Sequence, residues 1–333
     1  MAVGLLTGRL VRLGLLLAAV TVASFLLLEL SPIDPVNAYV GAEVVRIGPE
    51  QRELIAERWG LDDPPLVRFG RLVGNVAQGD LGTSMIFNAP VRQVIRQRFV
   101  ASLTLLAVAW TLSGVIGFCL GIVAAVTRGS LLDRAIGWYA YTMASSPTFW
   151  VGLLLLTTFS VTLGWTPVCC ATPIGIDPAS ATLGQRLHHL ILPAATLSIV
   201  GVASIVMHTR EQAIEILGSD YVTFARAQGE RVPGLVRHRL LRNATVPALL
   251  LQFASLSELF GGSVLAETVF AYPGLGQATV QAGLRGDVPL LVGIVLFSAV
   301  FVFVGNLVGD LVHVAVDPRV QLRAPRSVNE ART

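Results

Sequence analysis

Four long stretches of this chain contain no Asp, Glu, Lys or Arg: those between Arg98 and Arg128, Arg134 and Asp177, Arg186 and Arg210, and Asp287 and Asp310. Each exceeds the about 20 mainly apolar residues with which a helix crosses a hydrocarbon core roughly 30 Å thick. Composition agrees, since 14% of the residues are charged where a soluble chain carries about 25%. Two further apolar runs, Leu13 to Leu28 and Ala244 to Ala266, complete the pattern. The expected fold class is all-α, a polytopic membrane protein with six transmembrane helices in one domain spanning 1–333. The spans fall at about 10–30, 101–126, 135–163, 190–209, 244–266 and 288–308.

The first run follows Arg9 and Arg12, as in a signal peptide, yet its exit reads Glu29-Leu30-Ser31-Pro32-Ile33-Asp34-Pro35 with no small-x-small cleavage site. An uncleaved span is the expectation. Residues 31–100 form an extracytoplasmic loop punctuated by turn signals at Gly48-Pro49, Asp62-Asp63-Pro64-Pro65 and Gly79-Asp80-Leu81-Gly82. Within it Glu50 to Trp59 reads as a short helix with proline at its start. Pro147 inside the third span and Pro193 near the start of the fourth mark expected kinks.

All 24 basic residues are arginine. With no lysine, the chain has no Walker A loop, whose lysine reaches the β/γ-phosphates; if ATP drives the protein, another subunit binds it. The net charge of +3 is small and scattered, which argues against nucleic acid as a partner. With the N-terminus inside, fourteen arginines fall on the inner side, six of them in the loop 210–243, and the two short outer loops hold only Arg186 and Arg285. The long first loop weighs little in the positive-inside rule, so both termini are expected in the cytoplasm. Cys119 lies in an apolar run and reads as a small core residue. Cys169 and Cys170 are adjacent, but nothing nearby has zinc-site spacing.

The inner loop carries Ser219-Asp220-Tyr221-Val222-Thr223-Phe224-Ala225-Arg226-Ala227-Gln228-Gly229. Ser219 or Asp220 can cap a helix start and Gly229 suits the left-handed residue after its end. Tyr221, Phe224 and Ala225 are spaced to share one side of it. Such a short capped helix suits docking into a partner's groove; it is equally readable as an ordinary amphipathic loop helix.

This loop, continued by Arg237-His238 and Leu240-x-Arg242-Asn243-Ala244-x-x-Pro247, resembles the EAA loop of binding-protein-dependent ABC importers. Among them the chain is most similar to the dipeptide/oligopeptide/nickel permease family. Glu267-Thr268-Val269-Phe270-Ala271-Tyr272-Pro273-Gly274-Leu275-Gly276 matches that family's outer ending, and Asn306-Leu307-x-x-Asp310 with Asp317-Pro318-Arg319 its tail. Earlier matches are Asp34-Pro35, Leu61-Asp62-Asp63-Pro64, Gly79-Asp80-Leu81-Gly82, Pro147-x-Phe149-Trp150 and Leu192-Pro193-Ala194. The stretch from Gly229 to Arg237-His238 is one residue shorter than the family's usual linker, so the chain after the helix is expected to be shaped differently.

The resemblance implies a non-catalytic permease subunit of the cytoplasmic (inner) membrane that imports di- or oligopeptides. It implies a second homologous permease, two ABC ATPase subunits that carry ATP and Mg, and an extracytoplasmic binding protein. The coupling residues would be Tyr221, Phe224, Ala225, Arg226, Ala227 and Gly229. Family members also take nickel, metal chelates, glutathione and opines, and Glu258-Leu259-Phe260-Gly261-Gly262 looks somewhat like the nickel branch.

Glu258 lies near the middle of the fifth span, where a carboxylate costs about 3 kcal/mol on insertion scales and defaults to a functional reading. It either lines the translocation pathway or serves as polar glue to a neighbour such as Gln252 or Ser255. Pro273-Gly274 fits a type II turn with glycine at positive φ. His188-His189 point apart on a helix and make a poor two-ligand metal site. An intramembrane enzyme is the competing class, but Gly262-Ser263 lacks a serine-protease setting, no His-Glu-x-x-His occurs, and Asp310 has no second membrane aspartate. A receptor would append a signalling domain, for which the tail after Val316 is expected to be too short.

Overall fold

The structure, a computed structural model, describes residues 2–30, 36–37, 48–60, 62–178 and 180–316. The motif residues Asp34-Pro35, Leu61 and Asp317-Pro318-Arg319, the tail arginines and the side chain of Asp310 lie outside the described residues. The described chain is helical apart from loops and one two-residue hairpin, β1 (Thr83–Ser84) paired antiparallel with β2 (Ala89–Pro90).

Helix α1 (Ala2–Glu29) contains the first apolar run. In the first loop, α2 (Pro49–Trp59) starts on its proline as expected and ends on Gly60 at φ +61°. An unforeseen helix, α3 (Pro65–Ala77), follows, also started by proline. The second span is part of α4 (Val91–Val126), which begins ten residues before the expected span at 101–126 and carries Arg92, Arg96 and Arg98 on its first turns. An apolar run marks where a helix meets lipid, whereas backbone hydrogen bonding continues wherever no breaker intervenes.

Helix α5 (Leu131–Ala144) is opened by Ser130, whose hydroxyl accepts from the N–H of Asp133. At Pro147 the chain turns sharply into α6 (Thr148–Leu155), which continues as a π-helical stretch, Leu156–Thr162. The bend is 108°, so the expected kinked third span is two helices meeting at a corner. Ser146 precedes a proline, which pushes it out of the helical region. Helix α7 (Leu183–Leu217) runs through Pro193 without a break. After it come α8 (Asp220–Ala227), the one-turn α9 (Val232–Leu235), a π-helical stretch Val236–Leu240, and α10 (Leu241–Ala254). A second break at Ser255 leads into α11 (Leu256–Val269), and the paired segments of the fifth span are bent by 56°. Helices α12 (Leu275–Leu284) and α13 (Val288–Val316) end the described chain.

Among the described residues three helices, Val91–Val126, Leu183–Leu217 and Val288–Gly309, are each long and apolar enough to cross a membrane. Five result if each bent pair counts as one span, and α1 supplies a shorter apolar stretch, Val11–Leu27.

The chain separates into two compact units, with three segments in each. The first comprises Met1–Val108, Pro147–Leu197 and Phe260–Phe301. Its core joins Val91, Val94 and Ile95 of α4 to Leu275, Ala278 and Ala282 of α12 and Leu290 and Ile294 of α13. The second comprises Ala109–Ser146, Ser198–Leu259 and Val302–Thr333. Here Ile122 and Ala125 of α4 pack with Ala213 of α7, Leu240 and Ala244, and Val202 and Val206 of α7 pack with Ile136 and Ala140 of α5. Cys119, expected inside, is exposed on α4: in a lipid-facing helix an apolar neighbourhood does not imply burial. Cys169 and Cys170 are joined as a vicinal disulfide.

Candidate functional site

Helix α8 is short, and its ends explain its length. Ser219 is extended and precedes the first turn, but its hydroxyl bonds back to the carbonyl of Ile216 and does not cap α8. At the other end Gly229 takes φ +87°. The N–H of Glu230 reaches the carbonyl of Ala225 (3.1 Å) and that of Gly229 the carbonyl of Arg226 (2.9 Å), the paired bonds of a Schellman motif. Glycine adopts this conformation without the Cβ clash of other residues.

The helix divides its apolar residues between two directions. Val222 and Ala225 are 0% and 1% exposed and pack on Leu235 and Leu217. Tyr221 and Phe224 are 43% and 65% exposed, and Arg226, Ala227 and Gly229 are exposed as well. The expectation that Ala225 shares a face with Tyr221 and Phe224 is therefore corrected. Phe224 and Ala225 are consecutive and point about 100° apart at 3.6 residues per turn, and Ala225 turns inward with Val222. The Tyr221 hydroxyl accepts from Asn243 Nδ2 (3.1 Å), leaving the ring outward. After the helix, Glu230 pairs with Arg239 (2.9 Å) across the chain that follows it.

In the same unit, Arg210 of α7 grips Asp133 of α5 with two bonds, Nε to Oδ1 at 2.6 Å and Nη2 to Oδ2 at 2.9 Å. The Gly129 N–H adds a third bond to the carboxylate at 2.9 Å. Asp133 is buried, and a bidentate pair of this geometry fixes two helices relative to each other. The Ser130-Leu131-Leu132-Asp133 spacing, which resembles a capping box, signals the start of α5 and not the partner of Asp133.

Glu258 is exposed in the first turn of α11, just past the break at Ser255. It is thus at a bend and not mid-span in one straight helix. The neighbours considered for it bond elsewhere: Gln252 Nε2 donates to the Trp110 carbonyl and Ser255 Oγ to the Gln252 carbonyl.

Among the described residues of the first unit, two other carboxyl groups are fully buried. Glu267 near the end of α11 accepts from Ser102 Oγ of α4 (2.6 Å) and from the N–H groups of Gln277 (3.1 Å) and Gly276 at the start of α12. Ser102 Oγ in turn accepts from the N–H of Leu275 (2.7 Å). One carboxyl group thereby ties three helices and occupies the positive end of α12. The turn between them departs from the expected type II form. Positive φ falls on Ala271 (+45°), with Tyr272 N–H bonded to the Glu267 carbonyl, and Gly274 is extended at φ −95°. Glycine is required there for room: a Cβ on Gly274 would collide with the Glu267 carboxyl group.

Asp287 precedes α13 and accepts from Ser84 Oγ (2.6 Å) and from the N–H groups of Ile86 (3.0 Å), Leu290 (3.1 Å) and Met85. Burial pushes its carboxyl group above the ordinary carboxylate range, against the pull of those donors. It clasps the β1 turn to the start of α13.

Several bilayer-length apolar helices define a multi-pass helical membrane protein. Residues 117–322 match the family described as the binding-protein-dependent transport system inner membrane component, and the chain belongs to that family. It is 33% identical to the oligopeptide transport system permease protein AppB of Bacillus subtilis (strain 168) over 92% of this chain and 95% of that one. It is 35% identical to the di/tripeptide transport system permease protein DppB of Pseudomonas aeruginosa (strain UCBPP-PA14), over 93% and 97%. Its fold is similar to a chain of the MetNI methionine ABC transporter solved in inward-facing conformations, with a TM-score of 0.55 and 20% identity over 68% of this chain and 97% of that one.

Proposed function

We propose that this chain is one of two homologous permease subunits of an ABC importer that moves di- or oligopeptides across the cytoplasmic membrane. The observation that carries the reading is its likeness, over more than nine-tenths of both chains, to permeases named for oligopeptides and di/tripeptides. ATP and Mg²⁺ are held by two partner ATPases, and an extracytoplasmic binding protein delivers the cargo. The chain crosses the bilayer six times with both termini in the cytoplasm.

Helix α8 is the coupling element. Tyr221 and Phe224 enter an ATPase groove, Arg226 adds charge at its rim, and Ala227 keeps the exit of the helix small. Val222 and Ala225 pass the ATPase's displacement to Leu217 at the end of α7 and to Leu235. The Asp133–Arg210 pair carries it on to α5. A packed contact transmits motion because close-packed interiors compress little.

When the full assembly is expressed, this chain is expected to co-purify with two ATPase subunits, and deleting it abolishes uptake of a tripeptide mixture. Normal peptide uptake in the deletion strain, with no second peptide importer present, would refute the reading. The topology has its own test. In a background lacking Cys119, Cys169 and Cys170, single cysteines at Ser130 and Ser219 should be shielded from an impermeant thiol reagent in intact cells, whereas one at Gln281 reacts. Strong labelling at Ser219 would invert the orientation.

A further inference from the structure

The loop between α6 and α7 carries the adjacent Cys169 and Cys170, joined to each other in a disulfide. A disulfide stabilises a fold chiefly by constraining the unfolded chain, and more so the longer the loop it closes. One between neighbours closes no intervening chain, so its effect falls on the local conformation of the two residues. Both are half-buried, and a small thiol can reach them.

Cys170 has φ +75°, in the left-handed region that a residue with a Cβ occupies only at a cost. From that conformation its N–H donates to the Phe270 carbonyl (3.0 Å), just past the end of α11. Phe270 is buried and opens the turn in which Ala271 takes φ +45° and the Tyr272 N–H donates to the Glu267 carbonyl. Towards α7 the same loop is held through carbonyls: that of Cys169 accepts from His189 Nδ1 (2.9 Å) and that of Trp165 from His188 Nε2 (2.9 Å). The Cys170 N–H thus latches a loop anchored on α7 to the turn between α11 and α12.

We propose that Cys169–Cys170 is a thiol–disulfide exchange site at which a small dithiol reductant unfastens this latch. A thiolate of the reductant attacks one of the two sulfurs, and the bond between the cysteines breaks. The other cysteine leaves as a thiolate and takes up a proton. The reductant's second thiolate attacks the mixed disulfide, so the reductant departs as its own disulfide and the second cysteine is protonated in turn. The two electrons and two protons that the reductant loses are those the cysteine pair gains. With the ring open, Cys170 keeps positive φ only through its hydrogen bond. The left-handed conformation costs about as much as one such bond contributes, so the N–H swings off the Phe270 carbonyl for part of the time. Reoxidation closes the latch again. On the topology proposed above the loop lies outside the cytoplasm, where disulfides persist; the exchange chemistry itself does not depend on that placement.

The test uses the full chain in lipid nanodiscs, in a Cys119→Ala background, with dithiothreitol as the reductant. Alkylation without denaturant should label both Cys169 and Cys170 after reduction and neither before it. Hydrogen-exchange protection of the Cys170 amide is expected to fall about 5- to 10-fold on reduction, the effect of losing one hydrogen bond, and to recover on reoxidation. Two variants separate backbone from sulfur. Cys170→Ala has no disulfide and keeps the left-handed penalty, so residue 170 should be protected no better than in the reduced protein, with or without dithiothreitol. Cys170→Gly adopts positive φ without a Cβ clash, so it should stay within about threefold of the oxidised protein and ignore the reductant. Equal protection in the oxidised and reduced protein overturns the latch, as does equal protection in Cys170→Ala and Cys170→Gly. A pair that dithiothreitol reduces only in denaturant overturns the exchange site. If either variant fails to insert, the comparison of oxidised with reduced protein decides alone.

Discussion

Glu267→Leu is expected to leave the protein in the membrane but lower the thermal stability of the solubilised protein more than any other single change considered. The substitution leaves the Ser102 hydroxyl and the N–H groups of Gln277 and Gly276 without their acceptor in a buried site. A buried donor left unsatisfied costs about 1–3 kcal/mol, so the three together reach on the order of 5 kcal/mol. That is a large fraction of the about 5–15 kcal/mol that separates folded from unfolded domains. Peptide uptake falls with it, because α12 loses its attachment to α4 and α11. Glu267→Gln is the milder variant: its amide oxygen still accepts the two N–H groups while the NH₂ turns to Ser102 Oγ. Gly274→Ala attacks the same site from the other side by placing a methyl group where the carboxyl group lies. Thermal unfolding followed by intrinsic fluorescence ranks the three. Wild-type stability in Glu267→Leu would show that the buried carboxyl group holds nothing together.

Glu267 also shows where sequence reading stops. Its motif was visible, but which carboxyl group would be buried was not. Glu258 drew attention because it interrupts an apolar run, and it is exposed at a helix break. Glu267 stands nine residues on, and only the return of the chain through Ala271 and Gly274 brings three donors around it. Gly274 was read as a residue needing positive φ; its constraint is space, which depends on a side chain seven residues earlier. Charge-free stretches located the apolar helices well, because burial in lipid forbids charge over a fixed length. They did not locate helix ends, since Arg92, Arg96 and Arg98 lie on α4 beyond the apolar part. Pro147 announced a bend but not its 108°. The Asp133–Arg210 pair joins residues 77 positions apart, and nothing local in either segment points to the other. Gln252 was noticed only as a neighbour for Glu258, because a lone amide in an apolar run gives no hint that it reaches the Trp110 carbonyl.

Phe224→Ala is expected to separate the permease from its ATPases without unfolding it. The phenyl ring is 65% exposed, so this chain's own packing does not depend on it, and the inward pair Val222 and Ala225 is untouched. An aromatic side chain that fills a partner's pocket contributes on the order of 2–4 kcal/mol when truncated, so dissociation constants should rise at least about 30-fold. Retention of ATPase on an affinity-tagged permease, as a function of protein concentration, measures this directly. Gly229→Val perturbs the same helix through its backbone. No atom lies within 4 Å of a Cβ built there, so the expected cost is the left-handed conformation alone, about 1–2 kcal/mol. The Schellman bonds at Gly229 and Glu230 then loosen, and the exit of α8 changes direction. The two variants should differ in kind: Phe224→Ala weakens ATPase binding, while Gly229→Val keeps part of the binding and loses more of the transport per ATP hydrolysed. Arg226→Glu, at an exposed rim position, should fall between wild type and Phe224→Ala, with an effect that shrinks as salt is raised. Full ATPase retention and full uptake in Phe224→Ala and Gly229→Val together would remove α8 from the coupling path, because no other consequence of an exposed aromatic and a left-handed glycine on this helix would then remain to be explained.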